Sequence, residues 1–65
     1  MFIQLTDRDA DDRPFPVWVN PAYVDMVRPA KSGTYVGIVG ASAMHVYEQI
    51  DEVMALLQGP EVRHA

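Results

Sequence analysis

Apolar and polar residues alternate near the start of the chain, which is the pattern of a half-buried β-strand. Residues 2–6 read FIQLT, with Ile3 and Leu5 on one face. Residues 7–13, DRDADDR, are polar except for one alanine and contain four aspartates and two arginines. Because such a segment cannot pack into a core, we expect a strand followed by an exposed hairpin loop.

The same alternation returns over residues 14–20, PFPVWVN, where Phe15, Val17 and Val19 share one face and Pro16 and Trp18 point to the other. Pro14 and Pro16 lack a backbone N–H, so the early part of this second strand is expected at a sheet edge.

Asn20-Pro21 interrupts the alternation. Asparagine is a good helix cap, and proline is pre-set for a first helical turn. Residues 20–24, NPAYV, are therefore interpreted as one turn of α- or 3₁₀-helix that leads into a strand over residues 24–29. In the KSGT stretch that follows, Gly33 supplies the positive φ of a hairpin turn.

Residues 34–40, TYVGIVG, are the most strand-like stretch of the chain. A tight turn over residues 40–42 then leads into a last strand, in AMHVY. Gly37 lies inside the first of these strands, where glycine often marks a bulge or the close approach of another group. We interpret Gly37 as a bulge or as space for Trp18.

The apolar period becomes helical from about Glu48, with apolar residues at i, i+3, i+4 and i+7. The apolar stripe consists of Ile50, Val53, Met54 and Leu57. Glu48, Asp51 and Glu52 are placed in the first turns, where negative charge suits the helix dipole. Gly59-Pro60 is a stop signal.

These elements and their short connections predict an α+β fold. We expect a small curved antiparallel sheet of four to five strands, with one C-terminal helix packed on one face. A single domain is expected over residues 1–59 and a flexible tail over residues 60–65. The side chains predicted to face the helix are Ile3, Leu5, Val17, Val19, Val36, Ile38, Met44 and Val46.

Length and composition favour self-association. A chain of 65 residues is near the lower limit for independent folding, where disulfides, metals or oligomerisation usually help. The chain has no cysteine and two histidines without metal-site spacing, whereas 49% of its residues are hydrophobic. We therefore expect that oligomerisation helps to stabilise the fold.

Charge and hydropathy narrow the class of partner. A net charge of -4 and a pI of about 4.7 disfavour nucleic acid, which requires a basic face. The start of the chain lacks the features of a signal peptide, and no apolar run is long enough to cross a bilayer. We expect a soluble cytoplasmic protein with neither a nucleic-acid nor a membrane partner.

Asp7, Asp9 and Asp11 alternate like the first ligands of a calcium loop. Such a loop needs glycine at its sixth position and glutamate at its twelfth. Asp12 and Trp18 occupy those positions here. The segment is therefore interpreted as a solvated hairpin tip, and no metal is expected.

His45 and Ser42 are the one combination that could supply a base and a nucleophile. They are three residues apart across a turn, so their side chains tend to opposite faces, and no carboxylate is placed to orient the imidazole. The chain is therefore not expected to be an enzyme, and nothing in it indicates a cofactor.

The face opposite the helix carries the main candidate site. Its apolar residues are Phe2, Trp18, Tyr35, Val39 and Tyr47. Four aromatic residues on one solvent-facing side are more than the scattered exposure of single apolar residues would give. Tryptophan and tyrosine also contribute most of the binding energy at many interfaces. Self-association through this face is the leading hypothesis. A different protein partner, a ligand, or a strand register shifted by one residue are the alternatives.

Four stretches, IQLT, VWVNPAYVDMVRP, TYVGIVG and MHVYEQIDEVMALL, cover roughly residues 3–57. They resemble the FlbD-like family of small proteins, which occur in flagellar operons and have similar counterparts in phage genomes. Gln49 stands where that family has a helix-capping serine, and the first loop is longer and more acidic here. The resemblance implies the architecture above and an accessory, protein-interacting role, without catalytic residues.

We therefore expect a non-enzymatic bacterial or phage accessory protein that acts through a self-associating aromatic sheet face. The alternative is an oligomer that binds a nucleotide or another anionic metabolite, as a phage-encoded sequestering protein would. Its interfacial pocket would use Trp18, Tyr35 and Tyr47, with Arg28 or Lys31 for the negative charge.

Overall fold

The computed structural model describes residues 1–59, which contain five β-strands, one 3₁₀ turn and one C-terminal α-helix. The strands are β1 (Ile3–Arg8), β2 (Pro14–Val19), β3 (Val24–Pro29), β4 (Thr34–Ile38) and β5 (Met44–Val46). The 3₁₀ turn spans Pro21–Tyr23, and the helix α1 spans Ile50–Gln58. The α+β class is confirmed, and the predicted tail, residues 60–65, lies outside the described residues.

The strands form two antiparallel sheets, which corrects the expectation of one continuous sheet. β1 pairs with β2, and the second sheet has the order β3-β4-β5. The division has a local cause, because β5 is only three residues long and ends at Val46. Next to it, the backbone N–H of Tyr47 donates to the carbonyl of Thr6 in β1 at 2.8 Å. This hydrogen bond joins the edges of the two sheets.

Glu48 reinforces the junction between the sheets. One of its carboxylate oxygens accepts from the Thr6 backbone N–H at 2.9 Å, and the other accepts from the Thr6 hydroxyl at 2.8 Å. The Glu48 carbonyl accepts from the hydroxyl of Thr34, a fully buried side chain, at 2.7 Å. A carboxylate thus takes the place that a neighbouring strand's backbone would occupy beside β1.

The core lies between the two sheets and α1. Its buried apolar side chains are Ile3, Leu5, Val19, Val36, Val46 and Val53. Val17, Ile38 and Met44 are half-buried and pack against this cluster. The eight strand side chains predicted to face the helix are therefore buried or half-buried, and the alternative of a register shifted by one residue is excluded. Phe15, which shares the face of Val17 and Val19, and Met54 of the helical stripe are exposed, which corrects their expected positions.

Two glycines have the positions that the sequence assigns to them. Gly33 has a φ of 80°, and a Cβ there would collide with the carbonyl oxygen of Val46. Gly37 lies opposite a register shift between Val24 and Met26, which confirms the predicted bulge. A Cβ on Gly37 would lie 3.2 Å from the Cβ of Met26, so the space serves the bulge and not Trp18.

The helix starts later than its acidic residues suggest. Gln49 is the N-cap residue of α1, and its side chain makes no capping hydrogen bond. Asp51 and Glu52 lie in the first turn as expected. Glu48 lies before the helix, which corrects its assignment to the first turn. With nine residues α1 is too short to cross a membrane, and the described part of the chain contains no longer helix.

Candidate interaction surface

The residues predicted to form one aromatic face lie in three separate places. Phe2, Trp18 and Val39 are at one end of the molecule, where β2 and β4 finish. Tyr47 lies beside the far end of β1, and Tyr35 lies in the middle of the second sheet. The three places differ in how exposed the aromatic ring is and in how many contacts it makes within the chain.

An apolar groove of about 330 Å³ marks the first place. It lies between β2 and the second sheet, with Trp18 and Phe2 on one side and Ile38 and Met44 on the other. Trp18 is 60% exposed and Phe2 is 63% exposed. The groove follows from the sheet order, since β2 and the end of β4 are not paired with each other and leave an open seam.

Tyr23 belongs to the same place, although it is not among the residues that strand periodicity predicts there. Its ring lines the groove and is 59% exposed, and its backbone carbonyl accepts from the Val39 N–H at 2.8 Å. Strand periodicity could not find it, because Tyr23 lies in the 3₁₀ turn, where neither sheet face is defined. The sequence feature that could have indicated its position is Asn20, which caps that turn. The Asn20 side-chain oxygen accepts from the Ala22 N–H at 3.0 Å.

We refer to Phe2, Trp18, Tyr23 and Val39 as the Trp18 surface. All four side chains are about three-fifths exposed. The chain therefore buries valine, leucine and isoleucine side chains while it leaves several of its largest apolar residues in water. Monomeric proteins rarely expose contiguous apolar patches without a functional reason.

Both the ring and the hydroxyl of Tyr47 make contacts within the chain. The Arg8 guanidinium lies 4.0 Å from the centre of its ring, and its hydroxyl donates to the carbonyl of Asp12 at 3.2 Å. Gln4, which pairs with Trp18, is four residues before Arg8 on β1. At about 3.4 Å per residue the two positions are about 14 Å apart. Tyr47 therefore anchors the hairpin loop and is separate from the Trp18 surface.

The hairpin loop is organised by one carboxylate. A side-chain oxygen of Asp9 accepts from the backbone N–H groups of Asp11 and Arg13, both at 2.9 Å. Among residues 1–59, no group of three or more His, Cys, Asp or Glu side chains converges on a position where a metal could bind. The alternating aspartates build a turn in this structure.

Tyr35 is the middle member of a row across the second sheet. The Arg28 guanidinium lies 5.3 Å from its ring centre on one side, and the His45 ring centre lies 4.8 Å away on the other. The His45 Nε2–H donates to the Ser32 carbonyl at 2.6 Å. His45 is thus tied to the β3–β4 turn rather than to Ser42.

The two cations considered for an anionic ligand lie away from the Trp18 surface. Arg28 is in the Tyr35 row, and Lys31 is exposed in the turn before Thr34. The Trp18 surface is at the opposite end of β4, next to Ile38. The structure therefore does not bring Arg28 or Lys31 into the groove that contains Trp18.

Comparison with known proteins adds no further constraint. No protein-family model, curated protein or solved structure matches this chain.

Proposed function

We propose that the chain is a non-enzymatic accessory protein of bacterial or phage origin that acts by self-association through the Trp18 surface. The observation that carries the proposal is the contrast between core and surface. Four of the six core side chains are valines, whereas Trp18, Phe2 and Tyr23 are each about 60% exposed. The accessory role is the one that the resemblance to the FlbD-like family implies.

The exposed area indicates how strong the association can be. Aromatic side chains bury about 150–250 Å² each. At about 60% exposure, the three aromatic residues of the Trp18 surface offer roughly 350 Å² per copy, or about 700 Å² in a symmetric dimer. A standard stable interface buries about 1,200–2,000 Å². The aromatic residues alone would therefore support a weak dimer, and a stable one needs contacts that continue beyond them.

The alternative of an anionic small ligand is less well supported. It requires Trp18, Tyr35, Tyr47 and a cation from Arg28 or Lys31 to act together. These side chains lie in separate places within one copy, so only an assembly that brought them together from different copies could form such a site. Self-association is thus the common requirement of both hypotheses.

Sedimentation equilibrium of the full chain over a range of concentrations tests the proposal. Trp18→Ala is expected to weaken the association constant at least about tenfold, because a central aromatic anchor contributes about 2 kcal/mol or more. Met54→Ala is the control, since Met54 is an exposed apolar residue on α1, outside both the Trp18 surface and β2. We expect a change of less than about threefold for the control. A monomer at all concentrations, or equal effects of both variants, would overturn the proposal.

A further inference from the structure

The outer edge of β2 has a defined set of hydrogen-bonding groups. Both backbone groups of Thr6 point away from β2, because its N–H binds Glu48 and its carbonyl binds Tyr47. Thr6 is the register partner of Pro16, so this is a non-hydrogen-bonded pair of the β1–β2 ladder. Alternation along the strand then directs the backbone groups of Trp18, two residues on, to the open edge of β2.

The prolines limit what this edge can do. Pro14 and Pro16 have no N–H, so they present only carbonyl oxygens at the open edge. Trp18 presents both an N–H and a carbonyl there. Asn20 has extended backbone angles (φ -82°, ψ 115°), so the alternation continues and its N–H also faces outward. Strand addition is therefore blocked near the hairpin and permitted only around Trp18.

The backbone hydrogen-bonding groups of Asn20 and Pro16 that remain free are complementary to each other. In a hydrogen-bonded antiparallel pair, each residue gives its N–H to the other's carbonyl. Pro16 has no N–H to give. Asn20 does not need one, because its carbonyl already accepts from the Tyr23 N–H at 3.0 Å. The Asn20 N–H can donate to the Pro16 carbonyl. This one hydrogen bond satisfies the two backbone groups that still lack a partner.

We propose that a second copy of this chain docks on the edge of β2, with the two β2 strands antiparallel about a twofold axis at Trp18. This inference rests on the proposed function and specifies its partner and geometry. Each Trp18 exchanges N–H and carbonyl hydrogen bonds with Trp18 of the partner copy. Each Asn20 N–H donates to the carbonyl of Pro16 of the partner copy. A shift of register towards the hairpin would place Pro16 opposite Trp18, whose carbonyl would then lack a donor. A shift the other way would place Trp18 opposite Asn20, whose carbonyl already accepts from the Tyr23 N–H.

The same arrangement covers the apolar groove. In this register Val17 lies opposite Val19 of the partner copy, on the face of β2 that borders the groove. The two indole rings lie side by side across the strand pair, as cross-strand aromatic pairs do. The strand pairing thus supplies the contacts beyond the aromatic residues that a stable interface needs.

Chemical synthesis of the full chain allows the backbone to be tested apart from the side chain. Trp18→N-methyl-Trp keeps the indole but removes the N–H and blocks the edge. We expect the association constant to fall at least about tenfold, because two intermolecular hydrogen bonds are lost per dimer. The control is Ala10→N-methyl-Ala in the exposed hairpin loop, where the N–H groups that donate belong to Asp9, Asp11, Asp12 and Arg13. The control is expected to associate like the unmodified chain.

Amide hydrogen exchange of the unmodified chain gives an answer that does not depend on the folding of a variant. The Trp18 amide is expected to be unprotected at low concentration and at least tenfold more protected where the dimer is populated. In a mixture of labelled and unlabelled chains, a nuclear Overhauser contact is expected between the α-protons of Val17 and Val19 of the partner copy. A chain that associates without protection of the Trp18 amide would overturn this geometry and leave the proposed function standing. A chain that stays monomeric would overturn both.

Discussion

Removing the Glu48 carboxylate should loosen the junction between the two sheets. Glu48→Ala eliminates the acceptors for the Thr6 N–H and the Thr6 hydroxyl, at 2.9 and 2.8 Å. Hydrogen bonds to a charged group contribute about 1.5–3 kcal/mol, and a partly buried N–H left without a partner adds a penalty. Because the site is only partly buried, we expect a net loss of about 2 kcal/mol. At about 0.05–0.15 kcal/mol per residue, that is a large share of the stability of so small a domain.

Urea denaturation followed by circular dichroism measures this loss, with all variants at one protein concentration because association adds to apparent stability. In thermal unfolding, the same loss of 2 kcal/mol corresponds to a decrease in Tm of roughly 8–16 °C. Glu48→Gln should cost less than about 1 kcal/mol, since its oxygen can accept from the Thr6 N–H and its amide can donate to the hydroxyl. Glu52→Ala, at an exposed position in the first turn of α1, is the control. If Glu48→Ala were no more destabilising than Glu52→Ala, the carboxylate would not hold the junction.

Three further substitutions test other parts of the fold. Gly33→Ala should cost more than about 2 kcal/mol and Gly40→Ala only about 1 kcal/mol, because both have positive φ but only Gly33 lies against a carbonyl; equal losses in denaturation would contradict this. Asn20→Ala should cost about 0.5–2 kcal/mol by removing the cap of the 3₁₀ turn, and an unchanged denaturation midpoint would show that the cap is dispensable. Pro16→Val should let the β2–β2 pair shift its register, because it adds an N–H that can donate to the Trp18 carbonyl of the partner copy, so the Val17–Val19 contact between copies should be joined by others; an unchanged set of contacts would argue against the role assigned to Pro16.

The local pattern of the sequence was enough to predict the elements and most of the inward side chains of β1, β2, β4 and β5. Alternation at Ile3 and Leu5, and again at Val17 and Val19, predicted which side chains would lie inward. The conformational demands of glycine predicted the turn at Gly33. These predictions succeeded because they depend on residues close together in the chain.

The arrangement of the sheets and of the aromatic residues could not be obtained in this way. Strand parity gives the direction of a side chain but not its distance from others on the same face, so it grouped Tyr35 and Tyr47 with Trp18. It also gave no reason to place Glu48 next to Thr6, 42 residues earlier in the chain. Tyr23 was missed because parity is not defined in a 3₁₀ turn. Contacts of this kind depend on long-range packing.

The emission of Trp18, the single tryptophan of the chain, is the most direct measure of the central claim. Trp18 is 60% exposed in one copy and is expected to lose part of that exposure when the indole of a second copy lies beside it. Dilution of the full chain should therefore shift its emission to the red as the sedimentation mass falls from dimer to monomer, with one midpoint for both signals. An emission maximum that does not change while the mass halves would contradict association through the Trp18 surface.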